Sequence, residues 1–402
     1  EAVNVAYDES RLTFGREYII PKPFDPRLIA VVPPAVAKAA MESGVAQEPI
    51  EDWEKYEESL RQRLGNDNKI VRLMHSRAKL NPKRVVFAEA DQLTVLRAAQ
   101  IVHDEGIAKP ILLGRRDVIE RLKEEIEFDA EVPIIDPKSE EEEEHKNNYA
   151  LIYWKQRKRR GMTYYSAKKL MRERNYFAAM MVNEGDADAV ITGFSRAYPT
   201  VVKPMLELIG LDKGATRIAT TNVLMTKRGP LFLSDTSINI DPTSKDLVKI
   251  AQMTAVTVKM FGLEPVMAMI SYSNFGSSDN EKASKVREAV SYLHRYYPEL
   301  LVDGELQTDF ALNNEMLQDM FPFSKLAGKK VNTLIFPNLD AANITYKLLK
   351  ELNRADNIGP IMMGLKKPVH ILQLDASVDE IVNMTAIAVI DAQKKQKRSQ
   401  NA

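Results

Sequence analysis

The chain has 402 residues, 45% of them hydrophobic and 28% charged, with Lys+Arg and Asp+Glu equal at 56. That is the composition of a soluble globular protein with room for about two or three domains, and its balanced charge offers no global field to draw in nucleic acid or an anionic membrane. The absence of cysteine excludes disulfides, thiolate catalysis and Cys-ligated metal, and fits a cytoplasmic protein.

Pro21, Pro23, Pro26, Pro33 and Pro34 punctuate the first stretch and are expected to block long regular structure there. A helix-like run rich in Glu and Tyr follows, from Pro49 to Leu64, and Gly65-Asn66-Asp67-Asn68 reads as a linker. No basic region followed by an apolar core precedes them, so no signal peptide is read. The chain opens on Glu1 in mid-pattern, as a piece of a longer protein would. No apolar run approaches the roughly 18 residues that span a bilayer.

From about Arg84 onward, short β-branched runs alternate with amphipathic ones. Strands are expected at 84–90, 110–114, 187–193, 217–225, 229–235, 265–273 and 331–338, with helices at 92–106, 243–262, 279–297 and 339–353. Alternation on this scale predicts an α/β architecture with mostly parallel sheets. Ligands of such sheets bind beyond the carboxyl ends of the strands, so the loops there are where function is sought.

Neither a GxGxxG after a strand nor a GxxxxGK[ST] is present. His75, His103, His145, His294 and His370 are scattered without HxxxH spacing, and no metal site is expected. The acidic run 139–145 reads as a solvated loop or helix start, and the basic run 155–160 as a solvated helix face rather than a nucleic-acid patch. Three polar strand-end loops remain. SYSNFGSS supplies Ser271, Ser273, Asn274, Gly276 and Ser277, small residues that admit a phosphate or pantetheine close to backbone N–H groups. DGELQTD supplies Asp303, Gln307 and Asp309 as a loop after the apolar pair Leu301-Val302, and SDTSINIDPT ends at Thr243, a natural helix N-cap.

Taken in order, the blocks EADQLTVLRAA, RGMT, NYFAAMMVNEGDADAVITG, DTSINIDPT, SYSNFGS, DGELQTD, NTLIFPNLDAANITYKLLKEL and GPIMMGLKKPV resemble the phosphate acetyltransferase (phosphotransacetylase) family from about residue 70 to 395. The lead, FGREYIIPKPFDPRL with AAMESGVA, is similar to the C-terminal edge of the catalytic region of bacterial malic enzymes. In the large, multimodular NADP-dependent type a phosphotransacetylase-like domain follows that region. The resemblance implies two three-layer α/β/α lobes of the phosphotransacetylase and isocitrate-dehydrogenase type. Residues 1–65 would be the malic-enzyme edge and linker, 66–208 plus 347–398 one lobe, and 209–346 the other. It further implies an acetyl-CoA-binding and oligomerisation domain, a homo-oligomer partnered with its own malic enzyme domain. NADP and a divalent Mg or Mn would serve the region upstream, and no cofactor would be held here.

The family's acyl-transfer cluster is rewritten. Where the resemblance places a reactive Ser-Arg pair stand Gln373 and Leu374, Glu380 falls near the family's base aspartate, and Glu351 takes the position of another arginine. Ala197 and Tyr198 replace a hydroxyl pair, and Lys203 stands in for an arginine, while Arg157 keeps its family position as a ligand residue. Losing one oxyanion donor alone typically costs about 10²–10³ in rate, and a carboxylate at 351 would repel phosphate. The reading is a catalytically silent domain that binds acetyl-CoA and regulates a malate-oxidising partner. The alternatives are an active phosphate acetyltransferase and a purely structural oligomerisation module.

Overall fold

The computed structural model describes residues 28–50, 52, 53, 56, 60, 67–196, 198–226, 228–353, 357–374 and 376–400. The chain divides into two compact units, residues 1–72 and 73–402. In the first, helix α1 (Leu28–Glu42) runs through Pro33 and Pro34, against the expectation that they would stop it. They are its sixth and seventh residues, so each removes one interior N–H donor, and the helix continues past them. The lead motif at 14–27 and most of the run from Pro49 to Leu64 lie outside the described residues. Helix α2 (Asp67–Lys79) follows.

The second unit holds two sheets. The first contains β1 (Lys83–Phe87), β2 (Ala108–Leu113), β3 (Ile134–Ile135), β4 (Ala189–Thr192) and β11 (Val369–Ile371), parallel throughout, in the order β11-β4-β1-β2-β3. Parallel neighbours need crossovers, and the helices α3 (Leu93–Asp104), α4 (Arg116–Glu125), α5 (Glu143–Arg157), α6 (Tyr164–Leu170) and α7 (Arg174–Glu184) supply them. Tyr153, Phe177, Met180 and Val182 pack against one face. Helix α3 and the last helix, α14 (Val378–Gln400), lie on the other, α14 burying Ile381, Met384 and Ala388.

The second sheet runs β10 (Asn357–Met363), β5 (Ala219–Thr226), β6 (Gly229–Ser234), β9 (Thr333–Ile335), β7 (Val266–Ile270), β8 (Leu301–Leu306). The last four are parallel, while β5 is antiparallel to both its neighbours. Helices α9 (Ser244–Met260) and α10 (Glu281–Tyr296) cover one face through Leu247, Ala251, Val286 and Leu293. On the other, α11 (Thr308–Leu312), α12 (Asn314–Met320) and α13 (Leu339–Asn353) bring Phe310, Leu317 and Tyr346. Helix α8 (Tyr198–Leu208) follows β4.

The mixed α/β architecture with mostly parallel sheets is as expected. Two details differ. Asn357–Met363, expected in the first lobe as part of 347–398, pairs with β5 in the second sheet. Asp303–Leu306, expected as loop, is the body of β8, because its two carboxylates are enclosed and fully bonded within the fold.

Candidate functional site

Register sets the site. In the first sheet the carboxyl ends of β1, β4 and β11 lie side by side, with Ala88 N–H donating to Ile191 C=O and Leu372 N–H to Thr192 C=O. Beyond them stand Glu89, Gly193–Ser195 and Gln373. Glu89 is buried, and its carboxylate accepts from Phe194 N–H at 2.6 Å and Ser195 Oγ at 2.7 Å, so it clamps the loop after β4. Gly193 has φ +94°, and a Cβ there would sit 2.6 Å from Ile371 Cγ2, so only glycine fits that turn. Asp91 receives a bidentate pair from Arg174 at 2.8 and 3.0 Å.

The corresponding edge of the second sheet carries Asp235, the 271–278 loop and Gln307. Asp235 organises its own loop. One oxygen accepts from Thr220 N–H (2.9 Å) and Thr220 Oγ1 (2.6 Å), the other from Asn239 N–H (2.9 Å) and Asn239 Nδ2 (2.5 Å). Tyr198 faces this carboxylate; burial first, and then the negative charge, push its phenol well above the ordinary tyrosine range.

Helix α13 joins the two edges. Asn343, Tyr346 and Lys350 recur at helical spacing. Asn343 Nδ2 donates to Thr236 C=O at 3.0 Å on the second-sheet side. Tyr346 OH lies 3.2 Å from Gln373 Nε2 and accepts from Asn357 Nδ2 at 2.8 Å, and Lys350 Nζ donates to Glu380 Oε1 at 3.2 Å. Burial pushes the Tyr346 phenol up to about 12, so it is neutral and hydrogen-bonding across the physiological range. Glu380 has a second, local task. Its Oε2 accepts from Ser377 N–H at 2.9 Å while Ser377 Oγ accepts from Glu380 N–H at 3.2 Å, a capping box that starts α14. This carboxylate thus holds a helix end and an ammonium. Leu374 is 59% exposed and Glu351 is exposed. Ala197 lies outside the described residues.

The SYSNFGSS loop is built around Glu305, which sequence reasoning missed. Its side chain is fully enclosed. Gly276 N–H donates to its carboxylate at 2.8 Å, Ser273 Oγ at 2.9 Å, and Arg287 through Nε (3.1 Å) and Nη2 (3.0 Å). Burial opposes ionisation, yet Arg287, Gly276 and Ser273 hold the group below the ordinary glutamate value. Ser277 Oγ accepts from Asn274 N–H at 3.0 Å, Ser271 Oγ from Ser273 N–H at 3.2 Å, and Asn274 Oδ1 from Gln307 N–H at 2.7 Å. The small residues that promised an anion cradle therefore already surround an internal carboxylate. Asp303, 6% exposed, is likewise engaged by Ser324 Oγ at 2.9 Å and Lys325 N–H at 2.8 Å.

The remaining candidates lie apart. Arg157 Nη2 donates to Glu207 C=O at 3.1 Å, at the last turn of α8. Lys203 and Asp309 are exposed, with no side-chain hydrogen bond among the described residues. Among the described residues no group of three or more His, Asp or Glu converges to hold a metal ion, and no helix is long and apolar enough to cross a membrane. Glu89, Asp235 and Glu305 each stand at the end of a strand and fix a loop, but apart from Asn239 beside Asp235 the partners described above are remote in sequence. The only signal available was an acidic residue at the end of an apolar run.

The profile of the phosphate acetyl/butaryl transferase family matches residues 69–389. The chain is 41% identical over 399 residues to an NADP-dependent malic enzyme of Salmonella typhimurium, covering 98% of this chain and 52% of that protein. It thus spans about half the length of the malic enzymes it matches. It is 35% identical to a phosphate acetyltransferase of Thermoanaerobacterium thermosaccharolyticum over 81% of this chain and 99% of that one. A phosphotransacetylase structure from Streptococcus pyogenes superposes with a TM-score of 0.75 at 31% identity, covering 82% of this chain and 100% of that one. With the two-sheet architecture and the register of its strand-end loops, this agreement establishes that the chain belongs to the phosphate acetyl/butaryl transferase family.

Proposed function

We propose that this chain is a phosphotransacetylase-like domain that binds acetyl-CoA without turning it over and regulates a malic enzyme on the same polypeptide. The observation that carries the reading is the cluster where α13 meets the start of α14. Acyl transfer to phosphate needs cationic donors and a free base. Here Lys350, the ammonium at this point, is bound to Glu380, Glu380 caps a helix, Gln373 is held against Tyr346, and Leu374 carries no charge. The match to malic enzymes over about half their length supports the tethered partner. In that reading NADP and a divalent metal serve the malic region, while this domain senses acetyl-CoA and assembles the oligomer. Allostery follows only if acetyl-CoA prefers one quaternary state over another.

A second reading, an active phosphate acetyltransferase, is favoured by the 35% identity to an enzyme of that name over 99% of its length. The two separate in one assay. With acetyl-CoA and inorganic phosphate, the purified chain is expected to form no acetyl phosphate above the uncatalysed rate. Sustained turnover would establish the second reading and overturn the account of Gln373 and Glu380.

A further inference from the structure

Away from the strand-end loops, a cavity of ≈ 210 Å³ opens between α9, the turn at 212–215, the end of β10 and the last turns of α14. It is distinct from the cluster at Glu380. Asp391, on its wall, sits three turns further along α14, about 16 Å by helical rise. The space is about seven times the roughly 30 Å³ that a water takes in the liquid, enough for a small organic molecule.

Its chemistry is two-sided. Met253, Met260, Ile361 and Met363 make an apolar interior. Lys213, Lys249 and Arg398 stand around it with no ion pair among the described residues, whereas Asp391 is matched by Lys395 at 3.0 Å. Asp212 is the other carboxylate on the wall, so Lys213, Lys249, Lys395 and Arg398 face two carboxylates and cationic charge is in excess. The wall also contains His370, 1% exposed. Its Nδ1 accepts from Met362 N–H at 3.3 Å, which puts the ring proton on Nε2, and Nε2 has no hydrogen-bond partner. Burial lowers the imidazole to about 4, with Asp391 raising and Lys395 lowering it, so the ring is neutral near pH 7 and Nε2–H is a donor. A buried donor left unpaired is rare and calls for an acceptor. Gly364, on the wall at φ +88°, leaves no room for a Cβ, which would lie 2.5 Å from Arg217 C=O and 3.0 Å from Met253 Sδ.

We infer that this cavity is a second ligand site, taking a small organic anion whose acidic head meets the His370 Nε2–H and the surrounding cations while a short apolar tail lies among the methionines. Nothing in this inference depends on acetyl-CoA binding.

The test uses the full chain labelled with [methyl-¹³C]methionine, titrated with pentanoate and, separately, with uncharged pentanamide. Pentanoate is expected to shift the Met253 and Met363 methyl signals saturably, and pentanamide to bind at least tenfold more weakly. Lys249→Glu is expected to weaken pentanoate at least tenfold with the melting temperature unchanged, and Lys213→Glu serves the same purpose should that variant misfold. The inference is overturned by the absence of saturable shifts up to roughly 50 mM, where even a weak millimolar site would be filled. Equal binding of the amide, or indifference to both charge reversals, would overturn it too.

Discussion

Glu305 is enclosed and ionised because Arg287, Ser273 and the Gly276 N–H surround its two oxygens. Asp235 and Glu89 are treated the same way by backbone N–H groups and hydroxyls from neighbouring loops. His370 is the opposite case, a buried group kept neutral. Its folded-state value of about 4 lies below the ordinary 6.5. Between those values the unfolded chain binds a proton that the folded chain does not, so stability falls as pH drops from about 6.5 toward 4. At about 1.4 kcal/mol per unit, the loss is on the order of 3 kcal/mol. Urea unfolding across that range is expected to show the slope, and His370→Gln to flatten it; equal slopes would contradict the assignment. At this scale the sequence was partly legible. Thr243 reads as a helix N-cap and is one, and the structure adds Asp246 as the other half of a capping box. The carboxylate of Glu89 was illegible, since its partners Phe194 and Ser195 lie on a different strand-end loop. Glu380 was misleading. The resemblance puts it near the family's base aspartate, while Ser377-Val378-Asp379-Glu380 carries the S-x-x-E spacing of a helix start.

Among elements, α13 and α14 do the joining. One face of α13 spans from Thr236 to Gln373 and Glu380, and α14 begins where Lys350 reaches it. Ser377→Ala removes the side-chain half of the α14 cap and is expected to lower stability by about 1 kcal/mol, read as a shift in the urea midpoint at unchanged slope. No shift would mean that the Lys350–Glu380 pair alone fixes the start of the helix. Long apolar strands and amphipathic helices were readable from periodicity, as β5, β6, α9 and α10 illustrate. β8 was not, because Asp303-Gly304-Glu305 breaks the apolar run, and its polar side chains are satisfied only by tertiary partners. β10 pairs antiparallel to β5 with an irregular register between Ile358 and Ile361, which no local pattern encodes.

For the whole molecule, the two-sheet fold sets polar loops at the carboxyl ends of its parallel strands, and Glu89, Asp235 and Glu305 there are absorbed into internal hydrogen bonds. Family blocks in order made that fold legible. What the loops do with a ligand was not, because the same Ser and Gly residues can cradle an anion or an internal carboxylate. A domain kept for sensing retains affinity while losing turnover. Calorimetric titration of the purified chain with acetyl-CoA tests this most directly. Saturable heat with one-site stoichiometry, accompanied by a rise in melting temperature, is the expected result. No heat and no thermal shift at millimolar acetyl-CoA would contradict the account and leave a structural module in its place.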